Sequence, residues 1–219
     1  MDIIPLGLSS FKLKGKTASV VCDPYDSAMV GLKFPKHTSA DIVTVSHGHP
    51  DHNCISIVEA ANGSKPIVFE GPGEYEARGV EITGVETFHD AKNGAERGKN
   101  TIFRVDIDGI SVVHCGDLGH RLTDEQIEHI ENTDILLIPV AGTYTIDAEA
   151  AAEVINQLEP MIVIPMHYKR AGMNEKIFGQ LSTCEVFLKE IGQEKVEPVS
   201  KLSVTKDKLP QEMQVVVLE

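Results

Sequence analysis

Short apolar runs, partly alternating with polar residues, dominate the first half of the chain. Ile3 to Leu8, Phe11 to Lys14 and Ala18 to Cys22 are separated by Gly and Ser turns and predict strands. The third run stops at Asp23-Pro24, and the β-rich run Ile42 to Val45 stops at Ser46. Ile55 to Ala61 predicts a short helix, and Ile67 to Phe69 a strand of the buried type. The stretch from Gly71 to Phe88 predicts short strands between Gly-rich turns, and Asp90 to Asn100 a polar loop. Thr101 to Asp106 and Ile110 to Cys115 predict a hairpin about Asp108-Gly109, a favoured turn pair.

The last third changes period. Thr123-Asp124-Glu125-Gln126 has capping-box spacing and predicts a helix from Asp124 to Glu131. Ile135 to Val140 and Met161 to Pro165 are apolar strands flanking the Ala- and Glu-rich helical stretch Asp147 to Leu158. That β-α-β order implies a parallel pair covered by a helix. A helix at Cys184 to Ile191 and a strand at Gln214 to Leu218 complete the reading. A hairpin-rich first part followed by a βαβ unit fits two packed sheets with helices outside, an arrangement shared with other α+β folds. No linker or repeat divides the 219 residues, so one domain spanning 1–219 is expected.

Composition narrows the classes. With 42% hydrophobic and 24% charged residues the chain can bury a core without cross-links. Its four cysteines, Cys22, Cys54, Cys115 and Cys184, form no C-x-x-C pair and suggest a reducing compartment. The start of the chain has no secretory pattern, and no apolar run is long enough for a membrane span, so a cytoplasmic protein is expected. A formal charge of −13 argues against nucleic acid as a partner. Bound cations can still make one cleft positive.

The chemistry concentrates in His47-Gly48-His49-Pro50-Asp51-His52. Imidazole and carboxylate together suit borderline divalent metals. Gly48 and Pro50 forbid a regular helix, so the segment is a loop after a strand, where one bend can aim several side chains at one point. The alternative is a solvated His-rich loop. The run by itself leaves open how many ions bind.

This S-H-G-H-P-D-H run resembles the H-x-H-x-D-H motif of metallo-β-lactamase-fold hydrolases. Gly71 to Tyr75 (GPGEY), Arg97 to Thr101 (RGKNT) and Pro165 to Tyr168 (PMHY) resemble the small metal-dependent hydrolase branch related to L-ascorbate-6-phosphate lactonase. The resemblance implies an α+β, four-layer αβ/βα sandwich with the site where two sheets meet. It implies His47, His49 and His89 on one divalent ion, and Asp51, His52 and His167 on another, with Asp117 bridging. It makes Asp23 a carboxylate that orients ligands. His114 rivals His89, but the family places its third histidine upstream of the strand that precedes the Gly-Asp turn, here Gly116-Asp117. His120 is a pocket or surface residue, and Cys115 is packing.

Two zinc ions are implied, with manganese or iron as alternatives. A metal-bridged hydroxide would be the nucleophile, since no G-x-S-x-G is present. Asp51 and Asp117 carry the catalysis, Asp51 orienting the hydroxide. Tyr144 and Lys169 are candidate substrate contacts. The expected activity is hydrolysis of a small ester, lactone or phosphodiester by a chain that is open to self-association. The competing readings are a nuclease or phosphodiesterase and a metal-binding ligand sensor without turnover. Redox diiron chemistry is disfavoured, because the family's diiron enzymes carry Glu where this chain has His49.

Overall fold

The computed structural model describes residues 1–219. The strands of the first half are β1 (Asp2–Gly7), β2 (Ser10–Lys14), β3 (Ser19–Cys22), β4 (Ser39–Ala40), β5 (Ile42–Val45), β6 (Glu59–Ala60) and β7 (Ile67–Glu70). They continue with β8 (Gly73–Ala77), β9 (Val80–Phe88), β10 (Lys99–Ile107), β11 (Ile110–His114), β12 (Ile135–Pro139), β13 (Ile162–Met166), β14 (Leu202–Ser203) and β15 (Gln214–Val215). The helices are α1 (Ser27–Val30), α2 (Asp124–Ile130), α3 (Ala148–Leu158), α4 (Glu175–Phe178) and α5 (Cys184–Glu190).

Two large mixed sheets result, one ordered β14-β1-β2-β3-β5-β7 and the other β15-β13-β12-β11-β10-β9-β8, with a small β4-β6 pair beside them. One continuous core of 57 buried apolar residues runs from Ile3 to Leu218, so both sheets share a single interior. The hairpin about Asp108-Gly109 forms with Ile107 opposite Ile110, both turn residues taking the positive φ that such a turn requires. β11, β12 and β13 run parallel, and α3 crosses over between the last two. The capping box of α2 forms: the Thr123 hydroxyl accepts from the Gln126 N–H, and the Gln126 side chain accepts from the Thr123 N–H. The strands that end beneath the site, β3, β5, β11, β12 and β13, are buried almost throughout.

Three sequence expectations change. Ile55 to Ala61 is a single 3₁₀ turn over Ile55–Ile57 followed by the two-residue β6. Cys54 offers no side-chain cap, and the β-branched Ile55 and Ile57 suit an extended chain better than a helix. The strand at Ile67 exists but is the edge of its sheet, so Ile67 and Val68 stay 40% and 37% exposed instead of buried. The terminal strand is short: Gln214-Val215 pairs with β13, and Leu218 forms only a lone bridge to Val199.

Candidate metal centre

Each site residue stands just past the end of a strand. Asp23 follows β3, the histidine run follows β5, His89 follows β9, Asp117 lies beyond β11 and His167 follows β13. The run from His47 is pinned as a tight loop. The His52 N–H donates to the His49 carbonyl at 2.9 Å, the Asn53 amide to the Gly48 carbonyl at 2.8 Å, and the Asp26 N–H to the Pro50 carbonyl at 3.0 Å. Asp23 and His167 adopt left-handed backbone, φ 46° and 55°. Such strain in non-glycine residues persists only where the surroundings hold it.

The structure brings the seven predicted residues into two adjoining groups, His47-His49-His89 and Asp51-His52-Asp117-His167, with one ligand atom of each residue within 4.8 Å of the others in its group. Asp117 Oδ2 faces both. It lies 3.2 Å from His52 Nε2, 3.2 Å from His89 Nε2, 3.4 Å from His167 Nε2 and 3.9 Å from His47 Nε2. His47 Nε2 and His49 Nδ1 are 3.0 Å apart. That is near the separation of about 3.4 Å for two nitrogens sharing a tetrahedral ion at about 2.1 Å.

Behind the loop, Asp23 orients two of these rings. Its Oδ2 accepts from His52 Nδ1 at 2.7 Å and from the Ser46 hydroxyl at 2.5 Å, and its Oδ1 accepts from the Ser46 N–H at 2.8 Å. The Ser46 oxygen in turn lies 2.9 Å from His47 Nδ1. With its proton committed to Asp23, that oxygen accepts from His47. Both rings then hold a proton on Nδ1 and turn Nε2 toward the centre.

Electrostatics sorts the histidines. Burial and the neighbouring His52 push His47 down to about 2, against the pull of Asp117 and Asp23. Burial also lowers His49 and His167. Burial acts on His52 in the same direction, but Asp117 and Asp23 outweigh it and raise His52 well above the ordinary value. Asp117 is held well below the carboxylate range by His167 and His52, against the upward push of its own burial. His47, His49 and His167 are thereby kept as neutral nitrogens and Asp117 as an ionised oxygen, donors a borderline divalent cation takes, while His52 must shed a proton to join them.

The fit to cations is also visible in atoms with nothing to bond. Of eleven buried side-chain polar atoms without a hydrogen-bond partner, six belong to this cluster: Asp51 Oδ1, His52 Nε2, His89 Nδ1, Asp117 Oδ1 and both His167 nitrogens. Buried polar atoms are normally paired, so a concentration of orphans marks a place built for something else.

The other candidates lie outside the cluster. His114 is buried and fully used, its Nε2 donating to the Ser9 carbonyl at 2.7 Å and its Nδ1 accepting from the Gly116 N–H at 3.2 Å. His120 Nε2 accepts from the Phe88 N–H at 3.1 Å, which steadies the strand end that delivers His89. The Tyr144 hydroxyl donates to the Ile177 carbonyl at 2.6 Å, and Lys169 Nζ donates to Gly179 at 2.9 Å and Glu175 at 3.1 Å. Burial pushes the Cys22 thiol up to about 12 and raises that of Cys115, so neither is a nucleophile.

Several positioning residues escaped the sequence reading. Asn100 is buried and bonds at three points: its amide donates to Thr87 Oγ1 at 2.8 Å and the Cys115 carbonyl at 2.9 Å, and its oxygen accepts from the Asp117 N–H at 3.0 Å. Gly116 must be glycine, since a Cβ there would meet the Asn100 oxygen at 2.4 Å and Ser46 Cβ at 2.5 Å, on a backbone with φ 54°. The only sequence signals were RGKNT, which carried no role of its own, and the serine before the histidine run.

Comparison with known proteins agrees with this geometry. The family model for the β-lactamase superfamily domain matches residues 2–167, which include every member of the cluster. A UPF0173 metal-dependent hydrolase of Thermoplasma acidophilum is 33% identical over 190 residues, covering 77% of this chain and 83% of the relative. A solved structure from Thermotoga maritima, a protein of the metallo-β-lactamase superfamily, is 37% identical with a TM-score of 0.79, covering 99% of this chain and 97% of that one. A metallo-hydrolase from Ignicoccus hospitalis, 21% identical with a TM-score of 0.62 over 93% of this chain and 99% of that one, shares the fold. The chain therefore belongs to the metallo-β-lactamase superfamily, and within it to the UPF0173 metal-dependent hydrolases.

Proposed function

We propose that this metal-dependent hydrolase uses a pair of divalent ions, zinc by preference, to cleave a small ester or lactone. The observation that carries the reading is the double cluster itself: two groups of donors adjoin and share Asp117. His47, His49 and His89 would hold one ion, Asp51, His52 and His167 the other, with Asp117 between them. Imidazole and carboxylate donors suit zinc, while manganese and iron remain alternatives. Bound there, such ions supply Lewis acidity toward a carbonyl oxygen and a water acidic enough to act as nucleophile at neutral pH.

The chain does the rest. Asp51 has a buried, unpartnered Oδ1 suited to accept the water's proton and hold its orientation. Asp23 keeps His52, and through Ser46 also His47, in the tautomer that leaves Nε2 bare. The strained backbone at His167 aims its ring inward. No helix is long and apolar enough to cross a membrane. Free cysteines and a surplus of acidic residues fit a small-molecule enzyme of the reducing cytosol.

The test is elemental analysis of the purified protein followed by assay on a panel of nitrophenyl esters, lactones, phosphodiesters and thioesters. Two equivalents of metal with turnover confined to carbon–oxygen esters is the expected result. Preference for phosphodiesters would redirect the reading to a phosphodiesterase, and metal without turnover on any class to a ligand sensor.

A further inference from the structure

The loop after His89 is organised around one carboxylate. Asp90 accepts backbone N–H bonds from Lys92 at 2.8 Å, Gly94 at 2.9 Å, Glu96 at 3.0 Å and Arg97 at 2.7 Å. The His89 N–H donates to the Gly98 carbonyl at 3.0 Å and closes the loop on itself. Arg97 is thus delivered by a rigid loop whose two ends meet at a member of the metal cluster.

Its side chain is fixed as well. The guanidinium lies over the Tyr144 ring, 4.7 Å from the centroid, and its Nη2 reaches the Thr143 carbonyl at 3.5 Å. Tyr144 cannot turn away, because its hydroxyl is bound to Ile177. Thr143 has φ 62°, a rare conformation for a β-branched residue and a sign that its loop is held in place. Phe178 packs edge-on between Tyr144 and His167, with ring centroids 6.4 and 6.3 Å from the two. Arg97 and Tyr144 therefore flank the cluster on the side of His89 and His167.

What the guanidinium lacks is an acid. The chain has 33 acidic against 20 basic residues; Arg104 and Arg121 pair with carboxylates, whereas Arg78 and Arg170 do not. Nor does Arg97; its neighbour Glu96 is taken by Lys92 at 2.6 Å. The basic residue suggested by the sequence, Lys169, is committed to Glu175 and Gly179. Most of the Arg97 fork is exposed and without a carboxylate partner, on an otherwise acidic protein and on a loop that starts and closes at His89.

We propose that Arg97, stacked on Tyr144, is an anion-recognition site that binds a carboxylate or phosphate carried by the substrate away from its scissile bond. A guanidinium fork matches the paired oxygens of either group. This inference rests on the ester-hydrolase reading and narrows it to anionic substrates.

The experiment compares three 4-nitrophenyl esters on the metal-loaded protein: the neutral butyrate, the hemisuccinate and the 3-phosphonopropanoate. Arg97→Gln should raise KM for the anionic esters by about tenfold, the scale of a charge-assisted hydrogen bond, and leave kcat and the butyrate unchanged. The anionic ester with the larger rise identifies the group preferred. Tyr144→Ala should act in the same direction, and Tyr144→Phe, which keeps the ring but frees it from Ile177, should do so more weakly. Equal changes on all three esters, or none, would overturn the proposal, since a latch between two loops makes no distinction of charge. If the unmodified protein cleaves none of the esters, the ester reading falls by itself. Calorimetric titration with succinamate and 3-phosphonopropionamide then decides the inference: binding weakened in Arg97→Gln supports it, and equal binding in both proteins ends it.

Discussion

The two sheets supply the metal centre in different ways. The first gives His47, His49, Asp51 and His52 from one loop, with Asp23 behind it, and the two rings nearest that carboxylate are oriented by hydrogen bonds. The second gives one residue per strand end, His89, Asp117 and His167. The Nδ1 atoms of its two histidines have no partner, and His167 is aimed by backbone strain and by Phe178 packed against its ring. Orientation by a shared carboxylate concentrates dependence on Asp23. Orientation by strand-end packing spreads it over the sheet, with Asn100 as the one side chain that fixes the Asp117 backbone. The bridge between the halves is a single oxygen atom.

Breaking that bridge should have the largest effect. Asp117→Ala is expected to lower hydrolysis by more than about 100-fold and to reduce bound metal, while far-UV circular dichroism stays unchanged. Undiminished metal content with full activity would show that the halves do not depend on this carboxylate. Next is Asp23→Asn, which removes the buried partner of His52. It should cost about 3 kcal/mol or more in denaturant unfolding and about 10- to 100-fold in metal affinity. A loss of stability without a loss of affinity would mean that the carboxylate only supports the loop.

The comparison sharpens with pH. In the ion-free chain His52 has its pKa raised by Asp117 and Asp23, against burial, and is protonated at neutral pH. A metal ligand must be bare, so uptake has to release that proton. Apparent affinity should therefore rise by about tenfold per pH unit until the raised pKa is passed, then level off. Calorimetric titration in buffers of different ionisation enthalpy counts the proton, and no release would remove the charged His52 from this account. The smallest effect is expected at His120. Its replacement by Ala deletes one acceptor beneath Phe88 and should cost about 1 kcal/mol of stability without changing metal content.

The fold and the ligand set differ in how far local sequence reaches. The alternating runs, the Asp108-Gly109 turn and the Thr123 capping box are decided by neighbours in the chain, and they form where the pattern put them. The histidine loop is equally local, because Gly48, Pro50 and three imidazoles need nothing distant to define a metal-binding loop. Residues 55–61 and 67–69 went astray for the opposite reason: an apolar run does not say whether its strand is central or at an edge, and sheet order decides that. The remaining candidate ligands, His89 among them, were assigned by likeness to a family, since no short-range spacing connects residues 47, 89, 117 and 167.

By itself, then, the chain's order of residues determined its elements, its two-sheet character and the histidine loop that marks it as a metal protein. Only the folded arrangement decided that His114 is used up by Ser9 and Gly116 while His89 is left bare, that Asn100 and Gly116 set the position of Asp117, and that Lys169 is paired while Arg97 is not. Those outcomes depend on which polar atoms find partners once strands far apart in sequence are packed together, and partner availability is a property of three-dimensional neighbours.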